Sequence, residues 1–305
     1  MTAMTVPGRW CVALVWVTAV AVLGGAPQTF RSGVALVHLP VVVLDRQGTP
    51  LRGLTADDFE VRDGGVVREV VSFAEGPPGP SVPLHLGLML DKSDSMEKDI
   101  KSASDAAIDL IDALPEARDV TFVEFDTGVR IARFEPPSYP RLFERIRERA
   151  LGPLTALYDA MGHYAAGTRE RPGQHLLLVY TDGGDSSRGL NANDVRDLLR
   201  LGNVIVYTVG YLDHATGSDR ARQQAVLSQM ARETGGDAFF PSGEKDTQRI
   251  YRQIRAEIEG RYTIGYVRPV EATPGRFQRV DVRLRREGIA GARVRTRSGY
   301  VPAEP

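Results

Sequence analysis

Cysteine is almost missing from the chain: Cys11 is the only one in 305 residues. A disulfide framework is excluded, so the hydrophobic core must stabilise the fold alone, even in an oxidising space. Blocks of one charge are missing as well. Thirty-eight basic residues face 39 acidic ones, for a formal net charge of -1, and no Lys/Arg run stands out. That balance argues against a nucleic-acid binder. A long spanning run is lacking at the N-terminus, where the apolar stretch Trp10–Leu23 falls short of the roughly 20 residues that a transmembrane helix needs. Reaction signatures are missing too. There is no G-x-S-x-G elbow, no H-E-x-x-H and no phosphate-binding glycine loop. The five histidines, His38, His85, His163, His175 and His214, form no ligand-spaced pair. On these grounds the chain reads as a non-enzyme.

What is present begins with an address. Arg9, the apolar run and the small residues Gly24, Gly25 and Ala26 follow the order of a secretory signal, expected over residues 1–26. Pro27 is a poor residue after a cut, so the alternative is an uncleaved anchor that tethers the chain to a membrane. Either way the expected location is secreted, periplasmic or at the cell surface.

Residues 34–75 have β texture. VALVHLPVVVLD is apolar and β-branched, DRQGTP is a turn, and alternating runs flank a Gly64-Gly65 hairpin turn. Asp57 and Asp58 read as a solvated turn before Phe59. Residues 76–83, GPPGPSVP, read as a linker. The texture then changes. LHLGLML (84–90), HLLLVYTD (175–182) and VIVYTVGY (204–211) are near-continuous apolar runs, as strands buried on both faces require. Helical patterns separate them, the first with Ile100, Ala103, Ala107, Leu110, Ile111 and Leu114 on one face. Further helices are expected over 140–150, 156–167, 191–201, 218–234 and 244–259, a hairpin over 119–134 and a short strand over 237–241. Strands alternating with helices over 84–260 imply a doubly wound, mostly parallel α/β sheet with helices on both faces. Residues 261–301 return to alternating β runs. The arginines Arg283, Arg285, Arg293, Arg295 and Arg297 fall on every second position, which reads as a solvated strand face. The two β segments are expected to pack together as a small β-sandwich.

The chemistry gathers in three loops. Asp91-Lys92-Ser93-Asp94-Ser95 ends the first buried strand. Gly152-Pro153-Leu154-Thr155 precedes a helix, and Thr181-Asp182-Gly183 ends the second buried strand. Ligands of such sheets bind at the carboxyl ends of strands where the order reverses, and Asp91 and Asp182 both fall there. A hard divalent cation takes oxygen ligands, which Ser93, Ser95 and Thr155 offer as hydroxyls and Asp91 and Asp182 as carboxylates. The plain alternative is helix capping, by Ser93, Asp94 or Ser95 near Met96 and by Thr155 near Ala156. We expect Thr155 both to cap and to ligate.

The pattern D-x-S-x-S, a later Thr before a helix (followed here by ALYDA) and T-D-G closing a strand resembles the von Willebrand factor A (VWFA) domain over residues 84–260. The flanking GLTADDFEVRDGG and RYTIGYV…RVDVRLRR…RSGYVP are similar to a bacterial exported VWFA-related family. The resemblance implies a metal-ion-dependent adhesion site (MIDAS) built from Asp91, Ser93, Ser95, Thr155 and Asp182. It implies Mg²⁺, with Ca²⁺ or Mn²⁺ as alternatives, and an open position that takes an Asp or Glu of a partner protein in adhesion or scaffolding. Two other readings stay open: a metal-dependent hydrolase, and a structural module with a degenerate site. Asp94 departs from the family pattern, which usually has a small residue there, and Lys92 is expected to pair with it. Asp185 reads as a solvated loop residue and Asp159 as a loop support.

Overall fold

The computed structural model describes residues 36–77, 82–269, 272–285 and 291–302. The expected signal or anchor, residues 1–26, lies outside them, as do residues 78–81 of the expected linker. Among the described residues no helix is long and apolar enough to cross a membrane.

The chain opens with four strands, β1 (Leu36–Leu44), β2 (Phe59–Asp63), β3 (Val66–Arg68) and β4 (Val70–Glu75). Gly64 and Gly65 join β2 to β3 with φ of 59° and 85°. Two successive positive φ values are what a tight hairpin turn of matching twist demands, and glycine meets them without a Cβ clash.

The α/β portion follows. Its elements are β5 (Leu84–Asp91), α1 (Ile100–Asp112), β6 (Ala117–Phe125), β7 (Val129–Phe134), α2 (Tyr139–Arg147), α3 (Leu157–Thr168), β8 (Gln174–Thr181), α4 (Ala192–Leu201), β9 (Val204–Gly210), α5 (Gly217–Glu233), β10 (Ala238–Phe239) and α6 (Glu244–Glu259). They form one six-stranded sheet in the order β10-β9-β8-β5-β6-β7, parallel except for β7. Every residue of β5, β8 and β9 is buried. Alternate residues of β5 serve two cores. Leu86, Leu88 and Leu90 pack with α1, α2 and α6, while Met89 packs with α3, α4 and α5. All six apolar residues read as one face of α1 and its exit are buried. That helix starts at Ile100, later than the sequence suggests, because Asp94–Met96 make a separate 3₁₀ turn.

From β5 the chain moves to one side, through β6 and β7, then returns to lay β8 on the other side of β5. The order therefore reverses between β5 and β8, and the carboxyl ends of these two strands flank the resulting crevice.

Strands β11 (Tyr262–Val267), β12 (Gln278–Leu284), β13 (Arg293–Thr296) and β14 (Gly299–Tyr300) complete the chain. They interleave with the N-terminal strands in two antiparallel sheets, β13-β1-β11-β4 and β14-β12-β2-β3. The inner residues of both sheets, among them Leu39, Val41, Phe59, Val61, Tyr262, Ile264 and Val282, share one core. The expected solvated arginine face holds for Arg283, Arg285 and Arg293, which are exposed, and is corrected for Arg295 and Arg297. Arg295 reaches Glu257 of α6 and Asp237 before β10, and Arg297 reaches Asn203 and the His38 carbonyl. At Arg295 the outer face of β13 meets the α/β portion instead of solvent, so an alternation that marks an exposed face at Arg293 marks an internal contact two residues on.

Candidate metal centre

Backbone hydrogen bonds stitch the three loops together. The Asp94 amide donates to the Gly152 carbonyl and the Gly152 amide to the Lys92 carbonyl, both at 2.8 Å. A Cβ on Gly152 would sit 2.8 Å from that of Asp126, so only glycine lets this loop lie so close. The Ser186 amide donates to the Thr155 carbonyl at 2.8 Å, and the Thr155 amide to Ser186 Oγ at 2.8 Å. Thr181 Oγ1 donates to Asp91 Oδ2 at 2.6 Å, tying the ends of β5 and β8.

Asp91 is fully buried and also accepts the Ser93 amide at 2.9 Å. Burial pushes its carboxyl up to about 6, the charge of Asp182 adds to the rise, and the hydrogen bonds from Ser93 and Thr181 oppose it. Asp182 is 6% exposed. It accepts the Gly184 amide on Oδ1 at 3.0 Å and faces His214 Nε2 with Oδ2 at 3.3 Å. Ser93 Oγ and Ser95 Oγ lie 3.0 Å apart, Ser93 buried and Ser95 exposed. Thr155 is 8% exposed. Leu154 beside it is an exposed apolar residue at 45%.

The capping alternative is not what these hydroxyls do. The 3₁₀ turn after Ser93 has no side-chain cap, and neither has α1. Thr155 does not cap α3. That helix has Ala156 at its N-cap, and the Tyr158 amide in its first turn is taken by Asp185 Oδ1 at 3.1 Å. Asp185 is thus no solvated loop residue, since it also accepts Ser187 Oγ at 3.1 Å. Asp159 supports a loop, accepting the Leu190 amide at 2.8 Å. Asp94 is exposed and Lys92 does not pair with it. Lys92 is buried, and its Nζ donates to the carbonyls of Ile146 and Glu148 at the end of α2.

His214 is the residue that sequence reasoning missed. It lies in the loop after β9, a third carboxyl-end loop, and no spacing relation to Asp91 or Asp182 announces it. His85 of β5 and His175 of β8 stack on each other, ring centroids 4.8 Å apart, at the opposite end of the sheet. Asp91 lies six residues beyond His85 along β5, about 20 Å at strand rise.

Among the described residues no group of three or more His, Cys, Asp or Glu is gathered as a metal cage. A cation here would depend on hydroxyl oxygens. The donor set fits a hard ion: every candidate ligand offers oxygen. With bonds of about 2.1 Å, adjacent ligands of octahedral Mg²⁺ stand about 3 Å apart, which is the spacing of the two serine hydroxyls.

No protein-family model and no curated protein matches the chain. Solved structures do. A von Willebrand factor type A structure from Catenulispora acidiphila is 16% identical with a TM-score of 0.50, over 81% of this chain and 73% of that one. Proximal thread matrix protein 1 from the mussel byssus is 15% identical with a TM-score of 0.46, over 60% of this chain. The chain spans about half the length of that protein, 49%. An aerotolerance-related membrane protein from Bacteroides fragilis is 16% identical with a TM-score of 0.45, over 56% of this chain and 98% of that one. At such identities likeness speaks of fold alone. The six-stranded sheet, its helical layers and the Catenulispora structure together assign this chain a VWFA-like α/β fold.

Proposed function

We propose that the chain is an exported VWFA-type protein that binds a partner protein through a metal-ion-dependent adhesion site. Asp91, Ser93, Ser95, Thr155 and Asp182 would hold Mg²⁺, or Ca²⁺ or Mn²⁺ in its place. The carrying observation is the pair of serine hydroxyls, 3.0 Å apart and spent on no helix cap, beside Asp91, whose ionisation burial and the neighbouring Asp182 make costly. A divalent cation would relieve that cost. Mostly neutral ligands leave the metal's charge under-compensated, which favours a carboxylate from an Asp or Glu of the partner. Exposed Leu154 beside Thr155 offers that partner an apolar contact.

Titrating MgCl₂ into the full chain should raise its melting temperature by mass action. Asp91→Ala should abolish the rise while the protein stays folded. A rise that persists in Asp91→Ala sinks the assignment. No rise in the wild type with Mg²⁺, Ca²⁺ or Mn²⁺ leaves the structural-module reading in its place. One observation favours the hydrolase reading, the approach of His214 to Asp182, which sets a general base beside the site. Metal-dependent turnover of phosphoester or peptide panels, lost in His214→Ala, would select it over adhesion.

A further inference from the structure

A second site lies at the other end of the molecule, where the sandwich meets the start of β10. A cleft of about 910 Å³ opens there, within the size range of ligand sites. Seven arginines and two aspartates line it, so its sign is positive. Three of the arginines, Arg232, Arg279 and Arg293, are exposed and form no ion pair among the described residues. Val280, Val282 and Val294 give it an apolar floor. No aromatic residue lines it among the described residues, so it lacks the stacking platform on which sugars or unpaired bases rest.

The cleft follows strand edges. It is lined by residues 280–283 of β12 and 293–296 of β13 in unbroken succession. Successive side chains of a strand point to opposite faces, so a cavity over one face would meet every second residue. Consecutive lining puts it along the edge. Both edges are open over part of their length. β13 pairs with β1, with Thr234 bridging Arg297 just past its end, and β14 with the Ser298 carbonyl covers β12 from Gln278 to Val280. Unpaired edges are templates for a further strand.

We propose that this cleft takes an extended acidic peptide segment of a partner protein. The segment pairs its backbone with the free edge of β13 and sets carboxylates against Arg232, Arg279 and Arg293. Alternating apolar side chains reach the valine floor. The proposal stands apart from the metal site, which lies at the opposite ends of the strands.

The test uses the full chain and a capped octapeptide of alternating Glu and Val, with affinity read by fluorescence anisotropy in EDTA. The peptide should bind, and its Lys–Val counterpart should bind at least about tenfold more weakly. N-methylating the octapeptide's alternate amides should cost at least about tenfold, because it removes the backbone ladder. Arg279→Glu/Arg293→Glu should lose at least about tenfold with an unchanged melting temperature, since neither side chain has a partner to lose. Any of four results overturns the proposal: no binding, equal binding by the double variant, equal binding by the N-methylated peptide, or dextran sulfate binding more tightly than the peptide. The last would make the cleft a polysaccharide site.

Discussion

Lys92 sits between two candidate ligands yet serves another element. Its ammonium is buried against the last carbonyls of α2, Ile146 and Glu148. A cation at a helix C-terminus meets the negative end of the dipole. Burial lowers its pKa, with Glu124 and Glu148 pulling the other way. The contact also fixes the start of the loop that carries Gly152 and Thr155, so Lys92 is a positioning residue. Lys92→Met keeps the stem's bulk and strands the Glu148 carbonyl, while Ile146 keeps the Ser104 hydroxyl. We expect a loss of about 1–3 kcal/mol, read as a lower urea midpoint at constant slope. An unchanged midpoint would mean that water replaces the ammonium. Asp91, Ser93 and Asp182 were legible because residue type and strand-end position carry their signal. Lys92 and His214 were not. The Ile146 carbonyl lies 54 residues from Lys92, and nothing local encodes such a partner.

At the scale of elements, burial was the legible quantity. Unbroken apolar runs gave β5, β8 and β9, and a 3.6-residue period gave α1. The polar residues inside those runs were not legible. His85 and His175 stack between adjacent strands, with Asp119 of β6 bound to His85 Nδ1 at 3.0 Å and Arg171 donating to Asp119. His175 Nε2 donates to the Arg171 carbonyl at 3.0 Å, while its Nδ1 is buried with no partner in the described protein. Burial lowers the His175 pKa from 6.5 to about 4, opposed by the hydrogen bond to the Arg171 carbonyl and by Asp119 and helped by the neighbouring His85 and Arg171 side chains. The folded value lies below the unfolded one. Stability from the neutral ring is therefore complete above about pH 6.5 and lost as pH falls from there towards 4. The full loss is at most about 3 kcal/mol. His175→Gln should flatten the acid limb of urea midpoint against pH between 7 and 4. Parallel curves for variant and wild type would refute the assignment.

At the scale of the molecule, the question is whether the sandwich is a separate body or part of the α/β fold. The alternating runs at both ends predicted the interleaved sheets. They concealed how those sheets join the rest, because an arginine that alternates with apolar residues looks the same whether its face meets water or protein. Arg295 settles the matter for β13. It binds Glu257 and Asp237, donates to the Gly235 carbonyl and lies over the Tyr207 ring. Glu257 is fully buried, so its charge has no solvent to fall back on. Removing one partner of a buried pair costs about 3–5 kcal/mol, whereas removing both costs far less. Arg295→Met should therefore lower stability by that amount, and adding Glu257→Gln should restore more than half of it. The urea midpoints of the two variants and the wild type measure the coupling. Additive losses would show that Arg295 acts by packing alone. A recovery would show that an ion pair joins the two parts, and residues 84–260 expressed without the flanks should then be less stable than the whole chain, because Glu257 and Asp237 would lose their contact with Arg295.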